Sequence, residues 1–156
     1  QLLGHPDAER GLSEHMFTGV HVLSARALED LPEQGCVIRT AYRKWVDEGT
    51  TVGGFVDRSA WRDLGTPAEY LGAHMDLLGG ELTWPGFDPP ADGIVRGAGA
   101  QVSEAASLRE VVLGPGARVA AGCELERVVV WAGTVVTESA RDAILTPHAR
   151  VDGVMP

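Results

Sequence analysis

The sequence predicts an α/β portion followed by a parallel β-helix. Three observations lead to this fold class. Residues 1–78 alternate between strand-like and helix-like patterns, residues 79–93 are rich in glycine and proline, and residues 94–156 contain an internal repeat. We therefore expect the end of an α/β domain in 1–78, a linker in 79–93 and a β-helix in 94–156.

The α/β portion is predicted from short strands and helices in turn. Residues 17–24 favour a strand around two valines, and Ser24 can cap a helix over 25–31 that Pro32 ends. Apolar residues recur at helical spacing in 38–46, and 50–57 favour a second strand. Alone, this set would leave one edge and one face of a sheet uncovered.

The segment 61–67 (WRDLGTP) places one carboxylate, Asp63, directly before a glycine turn and a helix start. Thr66 suits the N-cap, Pro67 the first helical position, and Glu69 completes a capping box. We expect this helix to end at the glycine pair 79–80. A carboxylate held at such a corner is a candidate cation ligand, although the spacing alone favours a structural turn with an exposed Asp.

Residues 102–118 align without gaps on residues 119–135, which gives a period of 17 residues. Aliphatic residues at steps of five or six indicate the hexapeptide pattern of stacked coils. Three hexapeptides around a triangular coil would make about 18 residues, so either one corner is a residue short or the phasing slips there. After residue 136 the repeat weakens, and 143–147 are predicted to form a cap. The predicted inward side chains are Val102, Leu108, Leu113, Val119, Leu125 and Val130, with smaller or branched ones at Ala106, Val112, Ala117, Cys123, Val129 and Thr134.

Composition excludes several classes of partner. The 156 residues carry a formal net charge of −9, which argues against binding to nucleic acid or to an anionic membrane. No apolar run is long enough to span a bilayer. Cys36 and Cys123 are too few for a disulfide framework, so we expect reduced thiols and a cytoplasmic location.

The motif at 61–67 resembles the W-x-D-x-G-T-P signature late in the catalytic domain of sugar-1-phosphate nucleotidyltransferases. The segment 17–24 (FTGVHVLS) is similar to the strand that lines the sugar pocket in that family, and 70–78 to the helix that leaves the domain. A hexapeptide β-helix follows, as in the mannose-1-phosphate guanylyltransferase-like branch. The resemblance covers nearly the whole chain, but only the C-terminal part of the family's protein.

This resemblance implies both a fold and a reaction. The fold would be part of a Rossmann-like nucleotidyltransferase domain followed by a left-handed parallel β-helix. The reaction would transfer a nucleotidyl group from a nucleoside triphosphate to a hexose 1-phosphate, with GTP and mannose 1-phosphate favoured and pyrophosphate released. Asp63 would be the catalytic residue and the Mg²⁺ ligand. Substrate contacts would come from Thr18, Gly19 and Gly65, although many family members carry Asn where Thr18 stands.

Two features of the family are missing from the sequence, the G-x-G-T-R-L phosphate loop and a mid-domain metal-binding Asp. The resemblance therefore implies an incomplete chain, inactive alone, whose partners are the N-terminal half of the same enzyme and a second copy in a dimer. Two alternatives remain open. One is a non-catalytic regulatory or assembly paralogue, and the other is a hexapeptide-repeat acyltransferase, for which His148 is the sole catalytic candidate.

Overall fold

A computed structural model describes residues 15–154. The first fourteen residues of the predicted portion 1–78 and the last two of the predicted β-helix 94–156 therefore lie outside the described residues. The chain forms two compact units, Gln1–Ser59 and Ala60–Pro156. Within the described part, no helix is long and apolar enough to cross a membrane.

The first unit contains short helices that the sequence predicts. Helix α1 spans Ala25–Glu29, and the Ser24 hydroxyl oxygen caps it by accepting the Ala27 N–H at 3.2 Å. A π-helical turn, Ile38–Tyr42, runs directly into helix α2, Arg43–Asp47. The second predicted helix is thus present, with a wider first turn than the sequence indicates.

The two predicted strands of this unit are wrong. Residues 17–24 and 50–57 form no strand, and the described residues up to Ser59 contain none. Val22 is 98% exposed and Phe55 is 94% exposed, so neither side chain packs against a sheet. A strand is stabilised by hydrogen bonds and side-chain contacts to a neighbouring strand, and the described part of this unit supplies no such neighbour.

Helix α3 spans Pro67–Gly79 and is the first helix of the second unit. The Thr66 hydroxyl oxygen accepts the Glu69 N–H at 3.2 Å, and the same hydroxyl donates to a Glu69 carboxylate oxygen at 2.8 Å. The predicted cap is confirmed, but the Glu69 side chain meets the Thr66 hydroxyl rather than its backbone N–H. Gly80 ends the helix in the left-handed conformation, with φ 78°, as predicted for the glycine pair.

The β-helix that follows is a parallel solenoid of about three turns, as the repeat predicts. Its strands are β1 Ile94–Arg96, β2 Gln101–Val102, β3 Ser107–Leu113, β4 Arg118–Val119, β5 Glu124–Val130, β6 Val135–Val136, β7 Ala140–Leu145 and β8 Arg150–Val151. They stack in two sheets, ordered β1-β3-β5-β7-β8 and β2-β4-β6, and all pairs are parallel except β7 with β8.

The register confirms the period and extends the stack further than expected. Leu108 pairs with Leu125 at the predicted offset of 17 residues. Leu125 pairs with Ala140 in turn, which is an offset of 15, because the corner between β6 and β7 is two residues shorter. The predicted cap at 143–147 is therefore wrong in part, since β7 continues the stack to Leu145. The antiparallel strand β8 follows it and ends the sheet.

One corner of each coil consists of a single residue in the left-handed conformation. Glu110, Arg127 and Asp142 have φ values of 53°, 55° and 46°, and each bends its strand between two faces of the prism. These three residues stack on one another, so the same short corner recurs in every coil. This is the corner that is a residue short in a period of 17.

The short corner changes which side chains point inward. Because side chains alternate along a strand, a one-residue corner puts the residue directly after it, rather than the second one, on the inner side. Val111 and Val128 are fully buried in the prism core, whereas Val112 and Val129 were predicted there and instead face α3. The other ten predicted inward positions are correct; nine lie in or against the prism core, and the tenth, Thr134, is 4% exposed.

Helix α3 covers the two valines that face outward, Val112 and Val129. Leu71, Met75 and Leu78 of the helix form a second core cluster with Val129 and Ile144 of the β-helix. Leu71 is fully buried there. Burial of apolar side chains on both sides stabilises this contact by roughly 1.5–3 kcal/mol per fully buried residue. Helix α3 and the β-helix therefore form one packed body.

Candidate functional site

The corner before helix α3 carries the carboxylate that the motif singles out. Asp63 lies exposed in an irregular segment four residues before the helix begins. Its neighbour Arg62 forms an ion pair with Asp76, which lies on the helix itself. The side chain of Arg62 is thus engaged with α3, and this contact helps to hold the corner against the helix. As an exposed pair it contributes at most about 1 kcal/mol.

Gly65 leaves space between two carboxylates. A Cβ atom at position 65 would lie 3.4 Å from Asp63 Oδ1 and 3.7 Å from Glu69 Oε2. These are ordinary contacts, so the fold tolerates a larger residue, but a side chain there would fill the gap. The structure therefore brings Asp63, Gly65 and Glu69 together at the start of α3. Sequence reasoning assigned Glu69 to capping only, and its place beside Asp63 follows from the same helix turn.

The donor atoms at this corner are of the type that Mg²⁺ prefers. Mg²⁺ is bound by carboxylate oxygens together with substrate phosphates and water, and Asp63 offers an exposed carboxylate. In residues 15–154, no group of three or more His, Cys, Asp or Glu side chains is arranged to hold a metal ion. Among the described residues, Asp63 therefore offers a carboxylate of the kind that binds Mg²⁺, without a complete set of ligands arranged around it.

The predicted sugar contacts, Thr18 and Gly19, belong to the first unit. Both are exposed, and they lie in the irregular segment where a strand was predicted. Gly19 has φ 83°, a conformation that favours glycine, and a Cβ atom there would meet nothing within 4 Å. The backbone at this bend is therefore open to approach by a ligand.

A group of aromatic rings anchors that segment to the helices of its own unit. The rings of Phe17 and His21 lie 4.9 Å apart, and His21 Nδ1 lies 2.7 Å from the Tyr42 hydroxyl oxygen. The Tyr42 ring in turn lies 5.3 Å from that of Trp45, which is buried. Sequence reasoning missed this cluster, and its only local signal is the helical spacing of Tyr42 and Trp45.

Asp30 joins helix α1 to helix α2 within the first unit. Its carboxylate accepts hydrogen bonds from Lys44 Nζ and from Trp45 Nε1, both at 3.1 Å. These bonds, that of Lys44 foremost, hold the pKa of Asp30 below its ordinary value, while the carboxylate raises the pKa of Lys44. Both groups are therefore charged at neutral pH, and Asp30 acts as a structural residue.

Comparison of the chain with protein-family models gives no match, and comparison with curated proteins gives none either. The functional assignment therefore depends on the motif residues and on the placement described above.

Proposed function

We propose that this chain is the C-terminal part of a sugar-1-phosphate nucleotidyltransferase of the mannose-1-phosphate guanylyltransferase type. The intact enzyme transfers a nucleotidyl group from GTP to mannose 1-phosphate and releases pyrophosphate. One observation carries the proposal. The exposed Asp63 of the WRDLGTP motif lies before a capped helix that packs on a hexapeptide-type β-helix. The proposal includes a left-handed coil, a cytoplasmic location and a dimer, as the resemblance implies.

The chemistry requires two anions to meet at one site of an acidic protein, whose formal net charge is −9. When bound, Mg²⁺ supplies charge neutralisation and a fixed orientation for the phosphate oxygens. Asp63 would hold this ion through its carboxylate, and Gly65 would keep the space beside that carboxylate free. Thr18 would hydrogen-bond a sugar hydroxyl, and the open backbone at Gly19 would let the sugar come close.

The test is pyrophosphate release with Mg²⁺, GTP and mannose 1-phosphate. We expect no turnover from residues 1–156 alone, and turnover when the N-terminal half of the enzyme is supplied in the same chain or as a separate one. Omission of the sugar phosphate is the control, because hydrolysis of GTP alone would not depend on it. Turnover by residues 1–156 alone would show that the site is misplaced. If the complete protein shows no turnover with any nucleotide and hexose phosphate tried, the result would favour the non-catalytic paralogue.

A further inference from the structure

An open groove of about 500 Å³ lies between helix α3 and the last coil of the β-helix. Its volume falls within the range of small-molecule sites. The groove is distinct from the Asp63 corner, since neither Asp63 nor Gly65 lines it. Its ring-bearing walls are Tyr70 and His74 from the helix, Trp131 from the coil, and Pro147 with His148 from the turn that follows β7.

The groove exists because the stacking of one corner stops. Gly97, Gly114 and Trp131 occupy the same corner at successive periods of the repeat. A Cβ atom on Gly97 would lie 2.5 Å from Pro115 N, and one on Gly114 would lie 2.5 Å from Ala132 N, so stacked coils allow only glycine there.

Trp131 is free of this restriction because no complete coil follows it. After Leu145 the chain turns through 146–149, where Thr146 N–H donates to the Ala149 carbonyl at 2.9 Å, and then runs back as β8. A large side chain fits where glycine was required one coil earlier. Trp131 is 49% exposed, and it lines the groove.

The hydrogen bond of the His74 ring determines which of its nitrogens carries the proton in the neutral form. His74 Nδ1 lies 2.8 Å from the Tyr70 carbonyl oxygen, and because a carbonyl only accepts, Nδ1 carries the proton. In the neutral ring, Nε2 is then a hydrogen-bond acceptor and is the nitrogen left to meet a ligand. The Tyr70 ring lies 4.4 Å from the His74 ring and 6.4 Å from the Trp131 ring, so Tyr70 is within aromatic contact distance of both.

The charge of the groove narrows the ligand class. The residues described as lining it include no Lys, Arg, Asp or Glu. A phosphate or carboxylate would therefore find no fixed positive partner, on a protein that is itself strongly acidic. Exposed aromatic faces favour a flat ring, which stacks on them. The acceptor on His74 favours a ring that bears an N–H donor.

We propose that this groove binds a flat, uncharged nitrogen heterocycle that carries an exocyclic amino group. The ring stacks on the Trp131 indole, and the amino group donates to His74 Nε2. The proposal does not depend on the nucleotidyltransferase assignment, because it uses no residue of the Asp63 corner and no reaction.

The test is a titration of free 2-aminopurine with the full chain, followed by the loss of its fluorescence on stacking. We expect saturable quenching in the wild type. Trp131→Leu should weaken binding on the order of tenfold or more, since stacking of a base on an aromatic side chain contributes about 1–3 kcal/mol. Trp84→Leu is the matched control, because Trp84 is also exposed but lies outside the groove. Trp131→Phe keeps an aromatic face and should retain most of the affinity.

Two further arms test the hydrogen bond and the source of the ring. Unsubstituted purine, tested as a competitor, should bind several-fold more weakly than 2-aminopurine, and His74→Phe should remove that difference. The 2-aminopurine riboside 5′-monophosphate should bind no more tightly than the riboside. Tighter binding of the monophosphate than of the riboside would indicate a phosphate site, contrary to the proposal. Non-saturable quenching, or equal affinity in wild type, Trp131→Leu and His74→Phe with unchanged circular dichroism, would overturn it.

Discussion

Asp63→Asn is expected to lower kcat on the order of 10²–10³ in the complete enzyme, the usual cost of losing one electrostatic stabiliser. The substitution removes the negative charge that would hold Mg²⁺ but keeps the size of the side chain. Because Asp63 is exposed, the free energy of unfolding should change by no more than about 0.5 kcal/mol. The measurement is steady-state pyrophosphate release at saturating substrates, with thermal melting of the same samples.

Asp88→Asn is the matched control for this prediction. Asp88 is also exposed, in the segment between α3 and the β-helix, and belongs to no part of the proposed site. Its substitution should leave both kcat and the melting temperature unchanged. Turnover of Asp63→Asn close to that of the wild type would mean that Asp63 is only part of a structural turn.

Val136→Asp is expected to unfold the β-helix, whereas Val135→Asp should leave its melting temperature close to that of the wild type. The two residues are neighbours on β6, but Val136 is 4% exposed in the prism core and Val135 is 60% exposed on the outside. An unpaired carboxylate in the core costs several kcal/mol, which is comparable to the whole stability of a small domain. The measurement is thermal melting by circular dichroism, with light scattering to detect aggregation.

This pair tests the inner and outer rows of the coil directly, because the chemical change is the same at both positions. Each coil buries its apolar row against the next, so the damage at Val136 should spread to the neighbouring coil, whose strand β4 pairs with β6. Equal melting temperatures for the two variants would contradict the assignment of the inward row. A larger loss for Val135→Asp would reverse it.

Local features of the fold were predictable because local residues determine them. The cap at Thr66, the helix end at Gly80 and the period of 17 residues all follow from short stretches of sequence. The strand predictions at 17–24 and 50–57 failed because a strand depends on partners distant in sequence, which propensity does not supply. The prediction that Val112, rather than Val111, points inward failed for another reason. The corner before Val111 is a non-glycine residue, Glu110, in a left-handed conformation that the sequence does not signal.

The Asp63 corner and the groove beside Trp131 also differ in how far the sequence could predict them. The nearness of Asp63 and Gly65 follows from two residues of separation and a capped helix, so sequence was sufficient for it. The groove beside Trp131 depends on a helix, a coil and a turn that stacking brings together. One signal for it was present in the sequence, since Trp131 stands where glycine occurs one and two periods earlier. Its meaning depended on knowing that stacking stops in the next coil.

Helix α3, which leaves the Asp63 corner, is part of the β-helix body through its packing on β5 and β7. Native-state hydrogen exchange measures this most directly, because it gives a free energy of opening for each amide. We predict that the amides of Leu71 and Met75 in α3 open with the same free energy as those of Val128 and Val129 in β5, in one cooperative step. Opening of the α3 amides at a free energy near zero, while the β5 amides stay protected, would contradict the account.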